Sequence, residues 1–489
     1  MMSLIRVNQL TFSHPGQLMP LFENVSLDLD TDWRLGFVGR NGRGKTTFFK
    51  ILMGAYEAQG SVTASVAFDY FPYEVAHPDW LTIDVLNEIT PMAEEWQLRR
   101  ELSLLGVNDD VLWRPFETLS QGEQTKVLLA MLFLNEGRFL LIDEPTNHLD
   151  GQGRRLVADY LRRKKGFILV SHDRTFLDGC VDHIMALNKT SIDVHQGDFS
   201  TWWENFERRQ AFEEAQNERL QREVKSLTQA ARRTGAWSDK VEASKFGQGP
   251  VDRGFIGHKA EKMMKRSKAI EKRRERAVEE AKSLLQDVEK SEALKLTPLH
   301  HWREVLVRVE NVAICHGDNV RLPPISLTLS RGERVVLDGA NGCGKSSLLH
   351  AIMGEHSDYT GTIRLASGLV ISTVPQGTSH LKGSLRDYIE AQHIDATLCM
   401  TMLRKLDFDR ALFEQPMETY SAGQKKKVLL AKSLSESAHL YIWDEPLNYI
   451  DLYSRLQLEE MIQTYQPTML LVEHDQAFRE NIATRTVNL

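Results

Sequence analysis

An α/β fold built twice in tandem, with a long helical hairpin between the two copies, is what this sequence predicts. Three observations carry it. A glycine-rich loop pattern occurs twice, at Lys45 and Lys345. The motifs after each copy keep the same offset. The stretch between the copies switches to helical periodicity and positive charge.

The loops read Gly39-Arg-Asn41-Gly42-Arg-Gly44-Lys45-Thr46-Thr47 and Gly339-Ala-Asn341-Gly342-Cys-Gly344-Lys345-Ser346-Ser347. Each fits Gly, four residues, Gly-Lys, then Ser or Thr. Backbone N–H groups of such a loop close around phosphates, the lysine reaches the β/γ oxygens, and the hydroxyl of Thr46 or Ser346 faces Mg²⁺. An apolar strand pattern precedes each loop, Arg34–Val38 and Arg334–Asp338, and a helix pattern follows it. That strand–loop–helix context makes a helix N-terminus into an anion site.

Two acidic segments follow apolar runs: Phe139-Leu-Leu-Ile-Asp143-Glu144-Pro145 and Leu440-Tyr-Ile-Trp-Asp444-Glu445-Pro446. Beside a phosphate loop, Asp143 and Asp444 read as Mg²⁺ ligands. Glu144 and Glu445 then read as the groups that polarise an attacking water. Ser120-Gln-Gly122-Glu and Ser421-Ala-Gly423-Gln precede these segments, and His172 and His474, each followed by Asp, come after them. The paired positions lie 300 residues apart at the lysines, 301 at the serines and aspartates, and 302 at the histidines. Two copies of one domain with almost no insertions between motifs give that drift.

The chain of 489 residues is 42% hydrophobic and carries a net charge of −7. It has no apolar run of about 18 residues, which argues against a bilayer span. Cys180, Cys315, Cys343 and Cys399 are scattered without metal-ligand spacing, as reduced thiols in a cytoplasmic protein would be.

The segment between the copies has its own pattern. Leu220, Val224, Leu227 and Ala231 recur at coiled-coil spacing, and so do Ala277, Ala281, Leu284 and Val288. These read as the two arms of an antiparallel hairpin, the first over roughly Phe206–Arg233. Five glycines and a proline from Gly235 to Gly257 read as a non-helical tip. The tip also holds aromatic residues, which disordered segments lack. Between Lys225 and Arg276 there are 15 Lys/Arg against 6 Asp/Glu. A basic prong on an otherwise acidic chain predicts a nucleic-acid partner. The candidate contact residues are Lys245, Phe246, Val251, Arg253 and Phe255. The domain boundaries read 1–204, 205–298 and 299–489.

The Ser-x-Gly segments resemble the signature of ABC-type ATPases. That resemblance implies that each signature completes the phosphate site of the opposite domain. Site one then joins Lys45, Asp143, Glu144 and His172 to Ser421 and Gly423. Site two joins Lys345, Asp444, Glu445 and His474 to Ser120 and Gly122. Asp150 and Asp451 match the family's D-loop, and the two histidines its γ-phosphate switch. Gln376 matches the Q-loop ligand of Mg²⁺, but the first domain has Tyr73 there, which has no amide to offer. The adenine-stacking positions fall on His14 and His316, with Phe12 near the first.

Two such domains joined by a helical linker resemble the ABC-F family, and the motif wording resembles its antibiotic-resistance branch, of the Lsa and Vga type. The resemblance implies a cytosolic ATPase using ATP and Mg²⁺, monomeric off the ribosome. It would enter the ribosomal exit site, displace P-site tRNA and contact large-subunit rRNA. Its linker tip would then drive out lincosamide, streptogramin A or pleuromutilin antibiotics. A stalled-ribosome factor without drug protection, and the fused ATPase subunit of a transporter, are the competing readings.

Overall fold

The computed structural model describes residues 4–14, 20–135, 137–147, 149–188, 191–243, 272, 276, 292–316, 319–355 and 358–489. The chain divides into two compact units: Met1–Trp202 with Ser291–Leu489, and Trp203–Lys290.

The first unit contains the same architecture twice. The first copy has strands β1 (Leu4–Phe12), β2 (Phe22–Asp30), β3 (Arg34–Val38), β4 (Gln59–Ala64), β5 (Ala67–Phe71), β6 (Arg138–Asp143), β7 (Phe167–Val170), β8 (His183–Leu187) and β9 (Ile192–Gln196). The second has β10 (Val305–His316), β11 (Asn319–Ser330), β12 (Arg334–Asp338), β13 (Tyr359–Leu365), β14 (Ile371–Val374), β15 (Leu440–Asp444), β16 (Met469–Val472) and β17 (Arg485–Asn488).

The central sheets run β5-β6-β7-β3-β8-β9 and β14-β15-β16-β12-β17. Pairing is parallel except for the β8/β9 hairpin. All four residues of β7 and of β16 are buried. Strands covered on both faces must be apolar throughout, which is why these segments read as unbroken apolar runs. Smaller antiparallel sheets, β2-β1-β4 and β11-β10-β13, pack their apolar faces against the loop helices Lys45–Leu52 and Lys345–Met353.

This topology positions the sites. Because β6, β7 and β3 are adjacent and parallel, the segments after Asp143, Val170 and Val38 leave from one sheet edge. The same holds for β15, β16 and β12. Crevices at the carboxyl ends of parallel strands are where α/β sheets bind ligands. Between Tyr73 and Ser120 lie helices Thr82–Ile89 and Glu95–Leu104, and Leu385–Ala391 and Ala396–Lys405 are their counterparts.

Helix Phe199–Ala243, most of which belongs to the second unit, runs further at both ends than the sequence suggested. It begins seven residues before Phe206 and continues past Gly235, through a stretch expected to be non-helical. One glycine costs a helix about 1 kcal/mol relative to alanine. Trp237 to Ala243 holds no proline or second glycine, so nothing there stops propagation. The second arm and the tip candidates Lys245, Phe246, Val251, Arg253 and Phe255 lie outside the described residues. Among the described residues, no helix is long and apolar enough to cross a membrane.

Candidate functional site

Both phosphate loops are held open by backbone that only glycine adopts easily. Gly44 and Gly344 sit at φ +99° and +104°, each capping the helix that follows. The buried Lys45 ammonium donates to the carbonyls of Gly39 (2.7 Å) and Arg40 (3.2 Å). Lys345 does the same to Gly339 (2.7 Å) and Ala340 (2.9 Å). Each lysine thus lies folded into the concavity of its own loop.

The loop hydroxyls meet the strand-end aspartates. Thr46 Oγ1 donates to Asp143 Oδ2 at 2.7 Å, and the Ser346 hydroxyl favours the charged form of the Asp444 carboxyl. Glu144 and Glu445 both take left-handed backbone, φ 51° and 45°, with their N–H groups bonded back to Val170 O and Val472 O. Non-glycine residues held there store strain, a feature that clusters at functional sites. His172 Nε2 lies 3.2 Å from Glu144 Oε1 and 3.0 Å from Asn41 Oδ1; His474 Nε2 lies 3.7 Å from Glu445 Oε1.

The two glutamates have different surroundings. Burial and then the neighbouring Asp143 push Glu144 up to about 8, and burial and Lys45 push His172 well down. At Glu445 burial acts against the charge, but contacts from His474, Gln376 and Asn448 outweigh it and bring the carboxyl down to about 2. Asn448 Nδ2 donates to Glu445 Oε2 at 2.6 Å.

Two cavities of similar size gather these groups. The first, about 930 Å³, is lined by His14, Asn41, Gly42, Gly44, Lys45, Thr46, Thr47, Asp143, Glu144 and His172 from the first copy. Ser421, Gly423, Lys427 and Tyr449 line it from the second. The other, about 940 Å³, takes Asn341, Gly342, Gly344, Lys345, Ser346, Ser347, Gln376, Glu445 and His474 from the second copy. Ser120, Gly122, Lys126 and Asp150 line it from the first. Each cavity therefore joins the loop of one copy to the signature segment of the other. Gly39, Gly339 and Asp444 lie just behind the linings. Tyr73 lines neither cavity and is 39% exposed. Of His316, only the backbone falls among the described residues.

Ser120 and Ser421 cap their helices through capping boxes with Glu123 and Gln424. Their helix N-termini, and the partial positive charge there, face the cavities. Asp150 and Asp451 cap the helices Gly151–Arg162 and Leu452–Tyr465, accepting from Gly153 N (2.7 Å) and Ser454 N (3.0 Å). Asp451 is fully buried and paired with Lys427 at 2.9 Å.

Several contributors escaped sequence reasoning. Tyr70 donates its hydroxyl to Asp143 Oδ2 (3.2 Å), so a tyrosine does approach this carboxylate, three residues before the expected one. Tyr56 stacks on Phe12 (centroids 5.7 Å) and meets His14, which lines site one, edge-on (6.1 Å). Across the domain boundary, Asn41 Nδ2 donates to Tyr449 O at 2.9 Å. Arg40 and Arg43 reach Asp407 at 3.7 and 4.0 Å, and Arg40 lies over the Tyr453 ring. The equivalent positions at site two are Ala340, Cys343, Gly106 and Gln152, which carry no charge. That comparison was available in the sequence, but nothing marked those four positions as neighbours.

The donor set fits a hard cation. Asp444 Oδ1 is buried without a hydrogen-bond partner, and hydroxyl, carboxylate and amide oxygens surround it. Among the described residues no group of three His, Cys, Asp or Glu could hold a metal by itself. Mg²⁺ commonly takes only one or two protein carboxylates beside substrate phosphates, so it does not require such a group.

Comparison with known proteins agrees with this geometry. The profile of the ABC transporter family matches residues 22–147 and 322–448, together just over half of the chain. The ribosome protection protein VmlR of Bacillus subtilis is 28% identical over 94% of this chain and 82% of its own length. The ATP-binding protein Uup of Caulobacter vibrioides is 27% identical over 96% and 75%. Among solved structures, an archaeal ribosome recycling factor, aABCE1, crystallised with the ribosomal stalk protein aP1, superposes with a TM-score of 0.64. It is 18% identical over 98% of this chain and 87% of that one, a likeness of fold. The chain belongs to the ABC transporter family and is an ATPase that carries two ATP-binding domains in tandem.

Proposed function

We propose that this protein is an ABC-F ATPase that binds the ribosome in its ATP-sandwiched form and protects it from peptidyl-transferase-centre antibiotics. The observation that carries the ATP half is the pair of composite cavities, each built from both domains. The ribosomal half is supported by the similarity to VmlR along nearly the whole chain and by the basic linker sequence.

At each site the loop N–H groups with Lys45 or Lys345 hold the β- and γ-phosphates, and the signature serine and glycine of the other domain close over them. Thr46 with Asp143, and Ser346 with Asp444 and Gln376, would hold Mg²⁺, which neutralises charge on the phosphates. Glu144 and Glu445 orient and polarise the attacking water, and His172 and His474 contact the γ-phosphate. Phe12, His14 and Tyr56 give adenine a stacking wall at site one. Hydrolysis removes the γ-phosphate that bridges the domains, so they separate and the protein leaves the ribosome.

In the Lsa- and Vga-type reading, the protein occupies the exit site, displaces P-site tRNA and places its linker tip at the drug-binding region of large-subunit rRNA. Lincosamides, streptogramin A and pleuromutilins are the drug classes concerned. Uup is nearly as similar as VmlR, which keeps open a second reading as a translation factor without drug protection. Replacing residues 245–255 with a short Gly-Ser link is the test. ATP turnover should stay within twofold of the parent while protection in a cell-free translation assay with lincomycin disappears. Protection that survives the replacement removes the tip as effector.

A further inference from the structure

Lys426 is a lysine with 1% exposure in the middle of the site machinery, and the roles described so far do not use it. It lies on helix Ala422–Ser435, five residues after the N-cap Ser421 that closes site one. Its ammonium donates to three backbone carbonyls: Pro375 (2.9 Å), Asp444 (3.1 Å) and Gln376 (3.4 Å). All three belong to segments that form site two. A buried ammonium is costly unless its donors are satisfied, and here three N–H groups meet three acceptors.

The first domain lacks this device. The residue five positions after Ser120 is Thr125, also buried, whose hydroxyl is several bonds shorter than a lysine side chain. The loop it would hold has Tyr73, exposed at the surface, where the second domain has Gln376 in the cavity. The lysine thus occurs in the copy whose Q-loop points into its site, and is missing from the copy whose Q-loop does not. Gln376 and Glu445 line the same cavity, and Gln376 favours the charged form of that carboxyl, so two of the carbonyls that Lys426 grips belong to Gln376 itself and to Asp444, the residue preceding the catalytic candidate of site two.

We propose that Lys426 is a positioning residue for site two. It fixes the backbone at Gln376 and Asp444, and it makes their placement depend on the helix whose first turn completes site one. Two distinct sites then share one rigid element, the physical requirement for coupling between them. The dependence runs one way, because the site-one Q-loop has no such anchor. The proposal rests on assigning Glu445 to hydrolysis at site two.

The test uses the full chain, 8-azido-ATP and vanadate, which traps nucleotide only where turnover has occurred. Photolabelled peptides from residues 1–202 and 299–489 are then quantified separately. Lys426→Met is expected to lower trapped label in the C-terminal half at least fivefold, with label in the N-terminal half kept within twofold. Lys426→Gln, which keeps a donor, should retain at least half of the C-terminal label. A merely structural lysine gives a different pattern. Site one borrows Ser421 and Gly423 from the same helix, so damage to that helix lowers both labels together. Equal loss in both halves, or no loss in the C-terminal half, overturns the proposal. Glu445→Gln is the companion control. If vanadate-dependent C-terminal label persists in that variant, the assignment of site two falls first, and the proposal with it.

Discussion

Replacing Glu144 and Glu445 together with glutamine is expected to lower steady-state ATP turnover by about 10²–10⁴-fold, the range general-base catalysis contributes. Binding of ATP should persist. Both side chains sit at strand ends on strained left-handed backbone, beside the phosphate loops and His172 and His474. Glutamine is nearly isosteric, so cavity shape is kept and only the base is lost. The single variants should differ. Glu445 accepts a hydrogen bond from Asn448 and shares its cavity with Gln376, whereas Glu144 has His172 at 3.2 Å and no glutamine in its cavity wall at the position matching Gln376. Glu445→Gln is therefore expected to remove the larger share of turnover. Phosphate release measured on the two single variants and the double variant checks this, and unchanged turnover in the double variant would remove the catalytic assignment.

Gly423→Ala should have the next largest effect, by a steric route. A Cβ at Gly423 would stand 2.6 Å from Tyr449 O, closer than any real Cβ contact, and 3.5 Å from Asn41 Nδ2. Backbone cannot yield as a flexible side-chain end can. Tyr449 O is also the acceptor for Asn41 across the domain boundary. Overpacking of this kind costs roughly 1–3 kcal/mol. Placed on the closed state, that weakens ATP retention at site one by about five- to hundredfold. Release of a fluorescent ATP analogue in stopped flow reads it directly, and a release rate equal to the parent's would contradict the stated geometry.

Much of this was legible in the sequence because the information there is local. A phosphate loop, a buried strand ending in Asp-Glu and a Ser-x-Gly helix start each encode their conformation within about ten residues. Repetition at an offset of 300 to 302 then gave the tandem architecture. The motif residues of both sites accordingly fall into the two cavities, apart from Gly39, Gly339, Asp444, Asp451, Tyr73 and His316.

What stayed hidden depends on pairs distant in sequence. Tyr56 joins His14 only because β1 and the segment after the loop helix meet in space. Asp407 meets Arg40 across the domain boundary, and Lys426 meets Pro375 across 51 residues. No periodicity announces such contacts. Tyr73 misled differently. It matches Gln376 in motif order, but the hydroxyl that reaches the Asp143 carboxylate belongs to Tyr70, on the preceding strand. The linker helix passed Gly235 because one unfavourable residue does not outweigh favourable neighbours on both sides.

The most direct test of the central claim is sedimentation of the Glu144→Gln, Glu445→Gln protein with ribosomes carrying P-site tRNA and labelled lincomycin. With ATP present, the protein should pellet with the ribosomes while the drug and the P-site tRNA are displaced; without ATP, none of these changes should occur. Co-sedimentation with the drug still bound would contradict the protection role and favour a translation factor. Failure to pellet with ribosomes in ATP would contradict the ribosomal function altogether.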